Sequence, residues 1–152
     1  ANFDASKSAA LAVTMLDWKE FGKEYVNEMV LMSKTLASSL EEYGIPIFFG
    51  ALGHTQSHQF AVLANEYRGG QEASKLLRKS GLLACGIGLP VQDIQGDMNG
   101  IRFGTPELVR WGMTAKHSNK LAELVAKALK GHNVSGQVSE WRRTFNKIHF
   151  IH

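Results

Sequence analysis

The sequence predicts an α+β domain: a small, mostly antiparallel sheet packed against helices, preceded by a long N-terminal helix. Three observations predict it. From Ala5 to Tyr43 there is no proline and only one glycine, Gly22, and apolar residues recur at helical spacing. Past Gly44 and Pro46 the apolar runs become short and are punctuated by glycine, as in strands. The segments follow the order helix, strands, helix, strands, helices, which is not a series of strand–helix–strand units and argues against a doubly wound parallel sheet.

Taken in order, Ala9, Leu11, Ala12, Val13, Met15 and Leu16 make the first part of the long helix apolar nearly all round, which predicts burial between layers. After Gly22, the residues Tyr25, Val26, Met29, Val30, Met32, Leu36 and Leu40 mark an amphipathic helix of ~20 residues. A kink or break is expected near Gly22. Gly44 supplies the stop and Pro46 forbids continuation. Met15, Met29 and Met32 read as core fillers. Ile45 to Phe49 and His58 to Leu63 read as strands around a loop at 50–56. Residues 66–70 turn the chain into a short helix, Gln71 to Lys79, with Ala73, Leu76 and Leu77 inward and Gly81 at its end. Leu82 to Ile87 is a third strand, Pro90 to Asn99 a mobile surface loop, and Gly100 to Phe103 a fourth strand. Helices over Pro106–Trp111 and Ala115–Lys130 follow, with Thr105 and Thr114 as caps and Gly131 as a stop. A last helix, roughly Val134 to Phe145, precedes an apolar tail.

Composition excludes several functions. A chain of 152 residues with 44% hydrophobic content can bury a core as one domain. A formal charge of +3 does not suggest nucleic-acid binding. Cys85 is the sole cysteine, so no internal disulfide forms, which fits a reducing, cytoplasmic compartment. No apolar run approaches the ~20 residues that span a membrane. The first residues lack the apolar core of a signal peptide, and the missing initiator Met fits either a fragment or a processed chain. The six histidines are scattered, with neither Cys-x-x-Cys nor His-Glu-x-x-His, so no metal site is expected. Gly86-Ile87-Gly88 lacks the rest of a dinucleotide fingerprint. His58 reads as a strand histidine satisfied by backbone, and Ser57-His58 is not a catalytic pair by adjacency. Trp141-Arg142-Arg143, with Lys147 and His149, reads as a solvated helix face or subunit contact rather than a nucleic-acid patch.

The most informative stretch is Gly100-Ile101-Arg102-Phe103-Gly104-Thr105-Pro106-Glu107-Leu108. Pro106 suits a first helical turn and Glu107 complements the positive helix end. Arg102 is thereby placed on a strand end in an apolar run. A guanidinium there needs an anion, either an Asp or Glu of this chain or the carboxylate of a ligand.

The same residues, with Gly112, resemble the C-terminal signature of serine hydroxymethyltransferases, pyridoxal-phosphate enzymes of the aspartate-aminotransferase-like fold. Trp111 stands where an arginine is common. Ser57-His58-Gln59-Phe60 looks like the family's Asn/Ser-His-apolar strand. Ser8 to Val13 looks like the helix after its glycine-rich phosphate-binding turn. The resemblance implies that the chain is the C-terminal small domain, residues 1–152, of a larger dimeric enzyme of amino-acid and one-carbon metabolism. It assigns Arg102 to the substrate α-carboxylate. The lysine that carries the cofactor sits upstream in the family, in a Thr/Ser-His-Lys context; here Lys116-His117 is reversed and lies on a helix. The chain alone is therefore expected to bind no pyridoxal phosphate and to be inactive, its partners being a large domain, a dimer mate and an amino-acid substrate. Aligned on Pro90, Ile87 occupies the place of the asparagine that reads the folate pterin, which leaves folate use doubtful and favours folate-free aldol or retro-aldol chemistry. Other readings are the small domain of an aminotransferase or decarboxylase, or a free-standing α+β interaction module.

Overall fold

Asp4 opens the first helix by accepting the backbone N–H of Ser6 at 3.0 Å and of Lys7 at 3.4 Å. The computed structural model describes residues 4–152; residues 1–3, part of the segment read for a leader, lie outside the described residues. Helix α1 then runs unbroken over Ala5–Glu42, 38 residues and roughly 57 Å. The break expected near Gly22 is absent. A Cβ at Gly22 would lie 2.9 Å from the Trp18 ring, so this glycine seats the indole instead of ending the helix. Its intrinsic cost of about 1 kcal/mol is small against a helix anchored by its later half.

The two halves of α1 have different surroundings. Tyr25, Met29, Met32, Leu36, Ala37 and Leu40 form one buried stripe against α4 (Ser118–Leu129), where Leu121, Leu124, Val125 and Leu129 are buried. The first half was expected to be buried between layers. Leu11, Val13, Met15 and Leu16 are each more than half exposed, because no other described element reaches that far along the helix. Met15 is therefore not a core filler, whereas Met29 and Met32 are.

Gly44, at φ 79°, turns the chain, and the Ile45 N–H returns to the Leu40 carbonyl. The strand expected over Ile45–Phe49 shrinks to one bridge between Ile47 and Val62, since Phe49 adopts left-handed φ of 56° and leads into a 3-10 turn, Gly50–Leu52. The sheet holds β1 (Gln59–Leu63), β2 (Cys85–Ile87) and β3 (Gly100–Gly104). Its order is β1-β3-β2, with both pairings antiparallel, so the last strand in sequence is the central one. Phe60, Val62, Ile101 and Phe103 turn one face to the core, Phe60 and Phe103 stacking at 5.5 Å.

Helix α2 (Gly70–Lys79) starts hard against β3: a Cβ at Gly70 would lie 2.0 Å from the Gly100 carbonyl. Leu82 caps the end of α2 by donating to the Leu77 carbonyl, which keeps residues 82–84 out of β2. The segment read as a mobile loop, 90–99, is tied down. Buried Asn99 accepts the Leu89 N–H at 2.6 Å and donates to the Leu89 and Val91 carbonyls. Asp97 accepts the Gln71 and Glu72 N–H groups at the start of α2. Burial alone would push the Asp97 carboxyl up, but the N–H groups of Gln71, Met98 and Glu72 hold it below the usual value of 3.8. Then come α3 (Pro106–Arg110), a 3-10 turn at Ala115–His117, α4, and α5 (Ser135–Arg142). Thr114, expected to cap a helix from Ala115, instead precedes the 3-10 turn, and its N–H donates to His117 Nδ1 at 3.0 Å; α4 itself starts at Ser118. No helix among the described residues is long and apolar enough to cross a membrane.

Candidate functional site

Strand alternation decides where Arg102 points. Ile101 and Phe103 are buried, so the side chain between them stands on the opposite, open face of the sheet. Across the strands it is paired with Ala61 on β1 and Cys85 on β2. Glycines at positions 100 and 104 and this alanine leave the guanidinium without bulky neighbours. It projects into an open concavity of about 520 Å³ whose walls include His58, Gln59, Leu83, Cys85, Gly104 and Pro106. No Asp or Glu lines it. Arg102 is exposed and has no ion-pair or hydrogen-bond partner among the described residues, so the internal salt bridge open from the sequence does not form. The site is a positive fork in an open concavity whose lining contains no carboxylate.

The turn after Arg102 is bolted to the rest of the fold. Thr105 is fully buried and does not cap α3 with its side chain. Its N–H donates to the His58 carbonyl at 3.0 Å, and its hydroxyl lies 2.8 Å from the Met29 carbonyl and 3.0 Å from that of His58. The Tyr25 hydroxyl donates to the Pro106 carbonyl at 2.9 Å. Two residues of α1 thus hold the loop that ends β3. No local sequence signal marks these partners, because Thr-Pro reads first as a helix start. The buried stripe of α1 is the available hint.

His58 departs from its sequence reading. Its carbonyl is satisfied by Thr105, but its imidazole is exposed on the wall of the concavity and has no hydrogen-bond partner among the described residues. Two other histidines have local partners: His54 pairs with Glu41 at 3.0 Å, and His152 with Asp17 at 2.8 Å and Glu20 at 2.7 Å. No group of three or more His, Cys, Asp or Glu among the described residues could hold a metal. The basic patch is a folded helix face. Arg142 lies 4.4 Å over the Trp111 ring and donates to the Phe145 carbonyl, while Lys120 lies 4.9 Å over Trp141.

The concavity beside Arg102 has no lysine among its lining residues to carry the pyridoxal phosphate that the resemblance implies.

Comparison with known proteins agrees with the sequence resemblance. No protein-family model matches the chain. An α-methylserine aldolase from Ralstonia sp. is 51% identical over 155 residues, covering 99% of this chain and 35% of the relative. A serine hydroxymethyltransferase from Pyrobaculum aerophilum is 32% identical over 99% of this chain and 36% of its own length. The crystal structure of L-threonine transaldolase from Pseudomonas fluorescens superposes with a TM-score of 0.76 at 27% identity, over 88% of this chain and 31% of that one. The chain is similar, from end to end, to the C-terminal part of serine hydroxymethyltransferase-like enzymes. It spans about a third of the length of the relatives it matches.

Proposed function

We propose that this chain is the small C-terminal domain of a pyridoxal-phosphate aldolase or transferase, and that it holds the substrate α-carboxylate through Arg102. The observation that carries the reading is the unpaired guanidinium on the open sheet face, in a concavity without acidic residues. A planar fork there accepts a carboxylate through two parallel N–H···O bonds and fixes its orientation as well as its charge. The rest of the longer protein would hold the cofactor, which would supply an electron sink to the substrate. This chain supplies positioning, a share of catalysis that depends on geometry held to within about an ångström. Thr105 and Tyr25 give that geometry its rigidity.

The substrate is a β-hydroxy amino acid cleaved or formed by aldol chemistry. Similarity to an α-methylserine aldolase over 99% of the chain favours an α-methyl substrate, and Ile87 removes the polar group that would read folate. The exposed half of α1 docks on the large domain and near the dimer partner. The setting is cytoplasmic.

In the full-length protein, Arg102→Ala should lower kcat/KM for the amino acid by about a hundredfold, and Arg102→Lys should recover only part, because an ammonium cannot make the fork. Cofactor absorbance should survive both changes. Loss of cofactor with no selective loss of amino-acid turnover would contradict the assignment. This chain alone, mixed with pyridoxal phosphate and treated with borohydride, should trap no stoichiometric cofactor on a single lysine. Such trapping would overturn the division of labour.

A further inference from the structure

The tail beyond α5 runs back across α3 onto α1. The Arg110 carbonyl accepts the His149 N–H at 2.8 Å, and Arg110 Nη1 donates to the Phe150 carbonyl at 2.9 Å. Phe150 stacks on Tyr25 at 5.1 Å. It does so at φ 60°, a left-handed value that a non-glycine residue keeps only against compensating contacts. The His152 N–H then donates to Asp17 Oδ1 at 3.0 Å. Its imidazole rests 5.4 Å from the Phe21 ring, with Nδ1 2.8 Å from Asp17 Oδ1 and Nε2 2.7 Å from Glu20 Oε2.

This arrangement fixes a protonation state by donor counting. Ionised carboxylates only accept, and a neutral imidazole carries a single N–H. Two ring nitrogens, each against a carboxylate, therefore require the imidazolium. A neutral ring would turn one lone pair toward a carboxylate. We propose that the tail is a proton-operated latch on α1: it closes when His152 carries both ring protons, and closure holds Tyr25 where its hydroxyl supports Pro106 at the edge of the Arg102 concavity. Pro106 lines that concavity and Tyr25 is its tether, so the latch reaches the site through one ring.

The titratable and charged groups facing the tail are Asp17, Glu20, Glu24 and Glu28 on α1 and Arg110 on α3, which also helps keep Asp17 ionised, together with His149 of the tail itself. Hydrogen bonding to Asp17, then to Glu20, raises His152 above its ordinary 6.5. Its contribution is thus complete below 6.5 and fades as pH rises through the higher folded value. Bonding to His152 lowers Asp17 below 3.8, so its contribution is present above 3.8 and is lost as pH falls through the lower folded value. The latch is closed in mildly acidic to neutral solution and opens on both sides. His152 is half exposed, so salt weakens the pairing and the effect falls on the order of the tail rather than on global unfolding.

The test is NMR of this chain between about pH 5 and about pH 9, reading the His152 ring nitrogens, the amide order of Ile151 and His152, and the Tyr25 ring signals. Both ring nitrogens should be protonated while the tail is ordered. Tail order should fall at least about twofold on the alkaline side, with Tyr25 shifting at the same midpoint. His152→Phe keeps a ring on Phe21 but cannot titrate, and should abolish the pH dependence. His149→Gln, the control for the neighbouring histidine, should retain it. A tail equally ordered throughout, a single ring proton in the ordered state, an unmoved Tyr25, or pH dependence surviving in His152→Phe would each overturn the proposal.

Discussion

Thr105 and Ser33 compete for one carbonyl. A serine in a helix ordinarily returns its hydroxyl to the carbonyl four residues back, here Met29. That oxygen already accepts the Thr105 hydroxyl at 2.8 Å, and the buried Ser33 Oγ has no partner among the described residues. Ser33→Ala should therefore leave stability unchanged or raise it by up to about 1 kcal/mol, read from a urea midpoint; a clear loss would mean the hydroxyl is satisfied. Thr105→Val should cost about 1–3 kcal/mol, and more when combined with Ser33→Ala, because Ser33 can take the vacated carbonyl in the single variant. Arg102→Ala in this chain should shift stability by no more than about 0.5 kcal/mol, since an exposed guanidinium without an ion partner leaves nothing orphaned. A large fall in melting temperature would mean that Arg102 is structural. At this scale the sequence showed the position of Arg102 on a strand, while the apolar surroundings expected for its guanidinium are replaced by an open, exposed sheet face. It did not show Thr105 as a core donor, because local Thr-Pro spacing is shared by helix starts and the deciding partner lies 76 residues away.

Among the elements, α1 shows most clearly what periodicity can and cannot reveal. The stripe from Tyr25 to Leu40 was legible, since it obeys the helical period and is buried. Gly22 misled because a glycine that seats a ring looks, in sequence, the same as one that ends a helix. The apolar first half was read as buried, yet Leu11, Val13, Met15, Leu16 and Trp18 are exposed. That exposed apolar surface is what the proposed docking on a large domain would cover. Sedimentation should show concentration-dependent self-association of this chain, relieved by Leu11→Glu with Met15→Glu. A strictly monomeric chain with α1 ordered along its length would count against the docking role. The sheet was partly legible: β1 and β3 fall where apolar runs predict them, whereas Ile45–Phe49 and Leu82–Ala84 fail as strands because turn and cap hydrogen bonds claim their backbone.

For the whole molecule, a small sheet backed by α1 and α2, with α4 packed on those helices, presents one arginine on its open face, and the tail lies over α1 beside the loop that follows that arginine. The fold class was legible in the helical spacing of α1, the short glycine-punctuated apolar runs and the order of the segments, and the resemblance was legible because the glycine-bounded arginine motif is short, local and specific. The rigid tethering of that motif was not, because it is made across the fold by Tyr25, Thr105 and the tail. The central claim is that Arg102 recognises the substrate's carboxylate and nothing else about it. The most direct measurement compares kcat/KM of the full-length protein for its amino-acid substrate and for the corresponding carboxamide, in wild type and Arg102→Ala. Wild type should prefer the acid by about a hundredfold, and the variant should lose nearly all of that preference while acting on the carboxamide as wild type does. If the variant keeps the preference, or loses turnover of both substrates equally, Arg102 does not bind the carboxylate.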